Sequence, residues 1–452
     1  MRKNGLTRKH LSGEVNRREF LKKVGISAAA ISTLSSLNFT AECKERKKLI
    51  LIGHRVHQTV AGGGEGKGKN LIKLFEQKYD TDIIYHTYTP SEVREKIFRI
   101  GPLSRTEEDI FHIQPFWAIP VLTKFLEPLD SYLKNKPIEG WPEDWPKPMI
   151  ESAILEGKIY MIPVRAGCFG MWYNRRVFNE RGVGFPLKTA EELYDTAKAC
   201  TFERPDGEKI YGWSMRTTIG ELFEPLVGMI RMWGENAHLI TPDFKVTLTD
   251  PPVLQTVSLL QKMFNEGIIP PDMSTYSYAE NIKMFQQGRV AMTIEAMNYW
   301  PTFNDPKASK IAGEAIPGLM PISKNLKHIR DFSTSFMFLW YLGILRGSQR
   351  KDLAWEYIRH LSTRESHLEM AKSGNPPPRL SVLGDPEYIK IDPGAKITKK
   401  QIEVALQSIP AFPNVSRALD IIGEHVHEVV FHGKSPEDEM KKATEKIKPL
   451  LP

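Results

Sequence analysis

Cysteine is nearly absent, with three in 452 residues at positions 43, 168 and 200, and no Cys-x-x-Cys spacing exists. A cysteine-held metal or a dithiol redox motif is thereby excluded. Catalytic signatures are missing too. There is no Gly-x-Ser-x-Gly elbow and no His-Glu-x-x-His, so neither common hydrolase constellation is present, and no cofactor or metal motif appears. His425 and His427 are two apart on an expected helix and point in different directions, which does not suit a shared metal. Glu107-Glu108-Asp109 reads as a solvated turn. The loop Ala61 to Lys69 is glycine-rich, but it has Ala61 where a phosphate loop needs its first glycine and Gly68 where it needs a hydroxyl. The chain is therefore expected not to be an enzyme and to need no cofactor.

An excess of one charge is also missing from most of the chain. The net charge is +8, and residues 1–48 carry 12 Lys/Arg against 4 Asp/Glu, leaving 50 against 50 in the remainder. No nucleic-acid footprint is left to explain. The basic segment has its own pattern. Asn16-Arg17-Arg18-Glu19-Phe20-Leu21-Lys22 precedes the weakly apolar run Val24 to Leu37, too short for the ~20 residues of a membrane-spanning helix. It resembles a twin-arginine export signal, with Asn16 where Ser or Thr is usual, and implies passage of a folded protein through the twin-arginine translocase. Cys43 stands where a lipoprotein signal places its acylated cysteine, although Glu42 precedes it, and release near Ala41 is the alternative. Export permits a Cys168–Cys200 disulfide; two buried thiols are expected.

What is present after residue 48 is a β-α alternation. Lys48 to Gly53, Asp82 to Tyr88 and Asp109 to Ile113 read as strands, separated by helices from Leu71 and from Thr89-Pro90-Ser91. Gln114-Pro115-Phe116-Trp117 ends the third strand, where open α/β sheets place ligands. Ile159 to Val164 and Phe169 to Tyr173 read as two short strands with a small-residue break at Ala166-Gly167, a hinge pattern. Thr189 and Glu192 form a capping box for a helix through Ala199. Helices follow from Asp250-Pro251 and over Tyr278 to Gln287.

Several stretches resemble extracellular solute-binding proteins of sugar-importing ABC transporters. Gly157-Lys158 with Tyr160, Pro163 and Tyr173-Asn174 is similar to the segment that crosses between lobes there. Leu126-Glu127-Pro128-Leu129-Asp130, Phe285 to Ile294, Trp355 to Ser362, Asn375 to Leu383 and Gly433 to Asp438 are similar to further family landmarks, in family order. The resemblance implies an α/β, two-lobed, periplasmic-binding-protein-like fold of type II, each lobe a mostly parallel sheet flanked by helices with a ligand cleft between. Expected boundaries are 1–47 for signal and linker, 48–165 and 295–345 for the first lobe, and 166–294 with a helical 346–452 for the second. The implied partners are a carbohydrate and an ABC permease, and the implied location is periplasmic or cell-surface. An exported polysaccharide-acting enzyme and a solute sensor without a transporter are the alternatives.

A pyranose offers an apolar face and a ring of hydroxyls, so aromatic plates and planar polar groups recognise it. The resemblance places Trp117 and Trp300 at the cleft, and Trp213 is a further strand-end candidate. Arg165, Glu295, Asn298 and Arg379 are candidate hydroxyl partners or, alternatively, lobe-to-lobe salt bridges. Phe332, opening an apolar region that runs to Leu345, completes the set.

Overall fold

The computed structural model describes residues 46–117, 120–406 and 409–452. Arg17, Arg18 and Cys43 lie outside them. Eleven strands are present among the described residues: β1 Lys47–Gly53, β2 Thr81–Thr87, β3 Ile110–Ile113, β4 Ile154–Leu155, β5 Lys158–Ile159, β6 Ile162–Asn174, β7 Phe202–Glu203, β8 Lys209–Ser214, β9 Val290–Ala296, β10 Ala315–Gly318 and β11 Met337–Ile344. The main sheet runs β2-β1-β3-β11-β6-β9-β8-β7, with β10 beside β6. Parallel pairing occurs where expected, in β1-β2, β1-β3 and β8-β9. The strands that join the halves, β11 and β6, are antiparallel to their neighbours, so the sheet is mixed. β3 and β9 are buried along their whole length, as a sheet covered by helices on both faces requires.

Two hydrophobic cores divide the sheet. β1, β3, β11 and the start of β6 belong to the first, and the rest of β6 with β8 and β9 belongs to the second. The change falls between Cys168 and Phe169 within β6, which continues without a break through the expected hinge. The small residues there have another cause. A Cβ at Gly167 would collide with the Phe338 ring, and one at Gly170 with the Met297 sulfur. Glycine is needed for close approach across the strands.

The expected lobe boundaries shift accordingly. Phe303, Ile311, Ala315, Met320 and Phe336 pack into the second core, and the first regains the chain at Met337. The helix Lys351–Ser362 buries Ala354, Trp355, Tyr357, Ile358 and Leu361 against the first core, as do residues through Ala405; only Ile409 and beyond return to the second. Helical spacing marks a buried face without saying which sheet it covers.

Local signals hold at several ends. Thr89 and Glu92 close a capping box on the helix Pro90–Ile100, and Ser277 and Glu280 do so on Tyr278–Gln286. At the helix Glu192–Ala199 the Glu192 carboxylate instead accepts from the Lys188 N–H at 2.8 Å. Asp109 is not solvated. It is fully buried and accepts from the Ile50 N–H at 2.9 Å, the Ser348 hydroxyl at 2.6 Å and the Arg350 guanidinium at 3.0 Å, fastening β1 to the chain after β11. Cys168 and Cys200 are free and buried.

Candidate binding cleft

The carboxyl ends of the strands converge on one opening. β3 runs into the turn Pro115–Trp117, β8 into Arg216, and β9 into the turn Met297–Tyr299. A cavity of ≈ 530 Å³ lies there, in the size range of small-molecule sites. Pro90, Arg94, Glu95, Gln114, Phe116 and Trp117 of the first half form one wall. Arg216, Glu221, Phe223, Glu224, Leu419 and Asp420 of the second half form the other. Phe116 meets Phe223 edge-on at 6.5 Å, so aromatic rings from both halves meet at the base.

Arg216 organises the polar wall. Its guanidinium is ion-paired with Glu295 and reaches Glu224 at 2.7 Å, and it lies 5.0 Å from the Phe169 ring centre. Asn281 donates to the Glu295 carboxylate at 3.2 Å and the Ala296 N–H donates at 2.9 Å, leaving Glu295 fully buried and satisfied. Burial works against the Arg216 charge, but the Glu295 and Glu224 carboxylates hold its pKa above the ordinary value. Glu224 also shifts upward, which for an acid favours the neutral form. Burial is the main cause, opposed by Arg216 and helped by Glu295 and Glu221, and it is pushed up to about 7.

The first half contributes an aromatic floor. Trp117 stands edge-on to Trp340 at 5.4 Å, and Trp340 stands edge-on to His57 at 4.8 Å. His57 stacks on His112 at 4.0 Å. Burial holds His57 well below its ordinary pKa and brings His112 to about 3, so both rings are neutral. Arg165 is opposite Trp340 in the β6–β11 register. It donates to the Asn375 side-chain oxygen at 3.1 Å, and Asn375 in turn donates to the Val164 carbonyl at 3.0 Å.

The expected site residues separate into groups. Trp117 lines the cavity, and Glu295 sits beneath it through Arg216. Asn298 and Trp300 are half-buried just past β9, and the Asn298 side-chain oxygen has no partner. Tyr299 between them feels the charges of Glu295, Arg216, Arg165 and Glu224, which ties the two regions together. Trp213 is fully buried in the second core and is not a cleft wall. Arg379 is buried too. It is ion-paired with Asp144, donates to the Ser362 and Glu139 carbonyls at 2.9 and 3.0 Å, and covers the Trp145 ring, so its donors are used within the first half. Phe332 is half-buried ahead of β11 and is not among the cavity's lining residues. Arg216, Glu224 and Asp420 were not anticipated. Arg216 follows β8 by two residues, and Asp420 on the helix Val415–Val430 resembles any solvent-facing acid.

The model of the bacterial extracellular solute-binding protein family matches residues 62–367. The chain belongs to that family. Relatives include a putative binding protein of Brucella abortus (strain 2308), 27% identical over 192 residues, which span 42% of this chain and 44% of that one. The match thus covers under half of that relative's length. The mannitol-binding protein of Pseudomonas aeruginosa is 23% identical over 295 residues, 59% of this chain and 62% of its own. Among solved structures, an ABC transporter solute-binding protein from Agrobacterium radiobacter K84 in complex with ribitol superposes with a TM-score of 0.75 at 20% identity, covering 89% of this chain and 98% of that one. Maltose-bound MalE3 of T. maritima gives 0.73 at 19%, covering 89% and 100%. These likenesses establish the two-lobed fold, and the cavity described above lies where this solute-binding protein's two halves face each other. No helix among the described residues is long and apolar enough to cross a membrane.

Proposed function

We propose that this solute-binding protein captures a carbohydrate or polyol in the interlobe cleft and delivers it unchanged to an ABC-type permease. The observation that carries the reading is the cleft itself. Phe116, Trp117 and Phe223 supply apolar plates, and Gln114, Arg216, Glu224, Glu221 and Asp420 supply donors and acceptors around them. That combination matches a ring with an apolar face and a hydroxylated edge. Maltose, named for a related protein, is of this chemical kind, and ribitol and mannitol, named for others, carry a similar run of hydroxyls on an open chain. The proposal includes export by the twin-arginine route to the periplasm or cell surface, with Cys43 as a candidate lipid anchor.

Thermal melting over a panel of sugars and alditols tests it, since ligand at 100 times its Kd stabilises the folded state by about 2.7 kcal/mol. The bound compound is then recovered and weighed by mass spectrometry. A melting shift with the ligand recovered intact supports capture. Conversion of the ligand would move the protein to the class of exported carbohydrate-acting enzymes, and no shift with any panel member removes the carbohydrate reading.

A further inference from the structure

Arg165 is half-buried and differs in its partners from Arg216, Arg231, Arg350 and Arg379. Arg216 faces two carboxylates, Arg379 faces Asp144 and Arg350 faces Asp109. Arg231 lacks a carboxylate but donates to the Ala237 and Ser335 carbonyls at 3.1 and 2.9 Å. Arg165 has one hydrogen bond, to the Asn375 amide oxygen, and no ion pair among the described residues. A guanidinium carries five N–H donors in a planar fork, so most of this one is unspent. The charged or titratable groups acting on it are Tyr299 and Tyr388, and its own charge acts on His54 and His57; no carboxylate is in that set. Burial lowers its pKa to about 10, which leaves it charged at neutral pH.

The fork is also held in place. Asn375 is fixed by its bond to Val164, and the Pro376 carbonyl accepts from the Ala166 N–H at 3.2 Å, so the loop after residue 374 braces the β6 backbone on both sides of Arg165. Trp340 pairs with it in register and stands edge-on to Trp117 of the cavity wall, and this is the link from the half-buried Arg165, itself outside the lining residues, to the cavity. A fixed, charged, under-used guanidinium beside an aromatic floor is preorganised for an anion.

We propose that Arg165 receives a carboxylate carried by the ligand, and that the solute is an acidic carbohydrate, a uronic acid or a short oligosaccharide bearing one. This rests on the carbohydrate reading of the cleft. A monoanion fits better than a phosphate dianion, because the His57 ring near Arg165 and the His112 ring stacked on it are neutral and bring no second charge. The opposite wall is rich in carboxylates, with Glu221, Glu224 and Asp420, and would repel a second negative charge. Those groups accept from sugar hydroxyls, so the ligand lies with its acid end at Arg165 and its hydroxylated end toward Arg216.

The test is titration calorimetry on the mature protein with galacturonate, glucuronate and their dimers and trimers, against galactose, glucose, their oligomers and hexose 6-phosphates. It is repeated on Arg165→Gln and Arg165→Lys. The expected result is that the acidic sugars bind more tightly than their neutral counterparts. Arg165→Gln should lower acidic-sugar affinity by at least about 30-fold, with a much smaller change for neutral sugars, since it truncates one side of an enclosed charge pair. Arg165→Lys should restore part of the preference. Equal or tighter binding of neutral sugars overturns the inference and leaves the carbohydrate reading standing. Preference for the phosphates overturns the carboxylate assignment. Absence of binding by the whole panel overturns both. Should Arg165→Gln fail to fold, the wild-type ratio of acidic to neutral affinity decides alone.

Discussion

Arg216 and Glu295 form an ion pair at the floor of the cleft, with the carboxylate fully enclosed and the guanidinium reaching past it to Glu224. Glu295 comes from the end of β9 and Arg216 from the chain after β8, so the pair ties two parallel strands together where they present the ligand wall. Two acids share one cation here. Glu295 has the better hydrogen-bond set, which leaves Glu224 as the acid that burial drives toward its neutral form.

A pH dependence follows from that sharing. The folded-state pKa of Glu224 lies at about 7 against an ordinary 4.5, so between these values the folded chain binds more protons than the unfolded one. Glu224's own contribution to stability falls as pH rises through this window, while the buried neutral His57 and His112 contribute in the opposite sense below 6.5. Glu224→Gln removes the Glu224 ionisation, so its melting temperature should gain on the wild type's from pH 4.5 to 7. Identical pH profiles for the two proteins would show that Glu224 is not proton-linked to folding.

Arg379 was a cleft candidate by resemblance, and its surroundings give the opposite expectation for mutation. Arg379→Ala takes the guanidinium from Asp144, which keeps only its Ser381 N–H and hydroxyl donors, and uncovers the Trp145 face, a loss of about 3 kcal/mol of stability. Ligand affinity of the folded fraction should be unchanged. Calorimetric titration at low temperature, together with denaturant melts, separates the two effects; a loss of affinity at full stability would return Arg379 to the site.

The strands were legible because β1, β2, β3, β8 and β11 are short apolar runs bounded by turn or charge signals, and each lies within a few residues of its expected place. Residues whose role depends on a distant partner were not. Nothing near Arg379 in sequence points to Asp144, 235 positions earlier, nor near Arg216 to Glu295, 79 positions later. Gly167 illustrates the same limit: local reading sees a break at Ala166-Gly167, while the cause is the Phe338 ring arriving from β11. The assignment of residues 346–405 to the second lobe differs from the packing for a related reason, since helical periodicity identifies a buried face and leaves open which core receives it.

Export is expected to need the paired arginines, because Arg17-Arg18 followed by Phe20-Leu21-Lys22 and an apolar run carries the resemblance to a twin-arginine signal. Replacing both by lysine keeps the charge and removes the recognised side chains. Precursor should accumulate in the cytoplasm, as read by fractionation and blotting. Undiminished export of the Arg17→Lys, Arg18→Lys variant would remove this route.

Trp117 and Trp300 began as equivalent stacking plates, and the structure separates them. Trp117 is 3% exposed and wedged between Phe116 and Trp340, so it shapes the cavity as part of the first core. Trp300 is half-buried at the start of the short helix Trp300–Phe303, directly after Tyr299. Trp117→Ala should therefore cost about 3–5 kcal/mol of stability as a large-to-small core change, with any affinity loss following from the altered wall. Trp300→Ala should lower melting less than Trp117→Ala, because Trp300 packs against the second core only in part and is outside the cavity's lining residues. Loss of a stacking plate and its buried area should weaken binding by about 2–4 kcal/mol, or roughly 30- to 1000-fold. Paired titrations and melts on both variants, with a ligand from the panel, check the contrast. A Trp300→Ala protein that melts far earlier yet binds as tightly as wild type would place Trp300 in the second core, and the cleft would then rest on Phe116, Phe223 and the Arg216 wall alone.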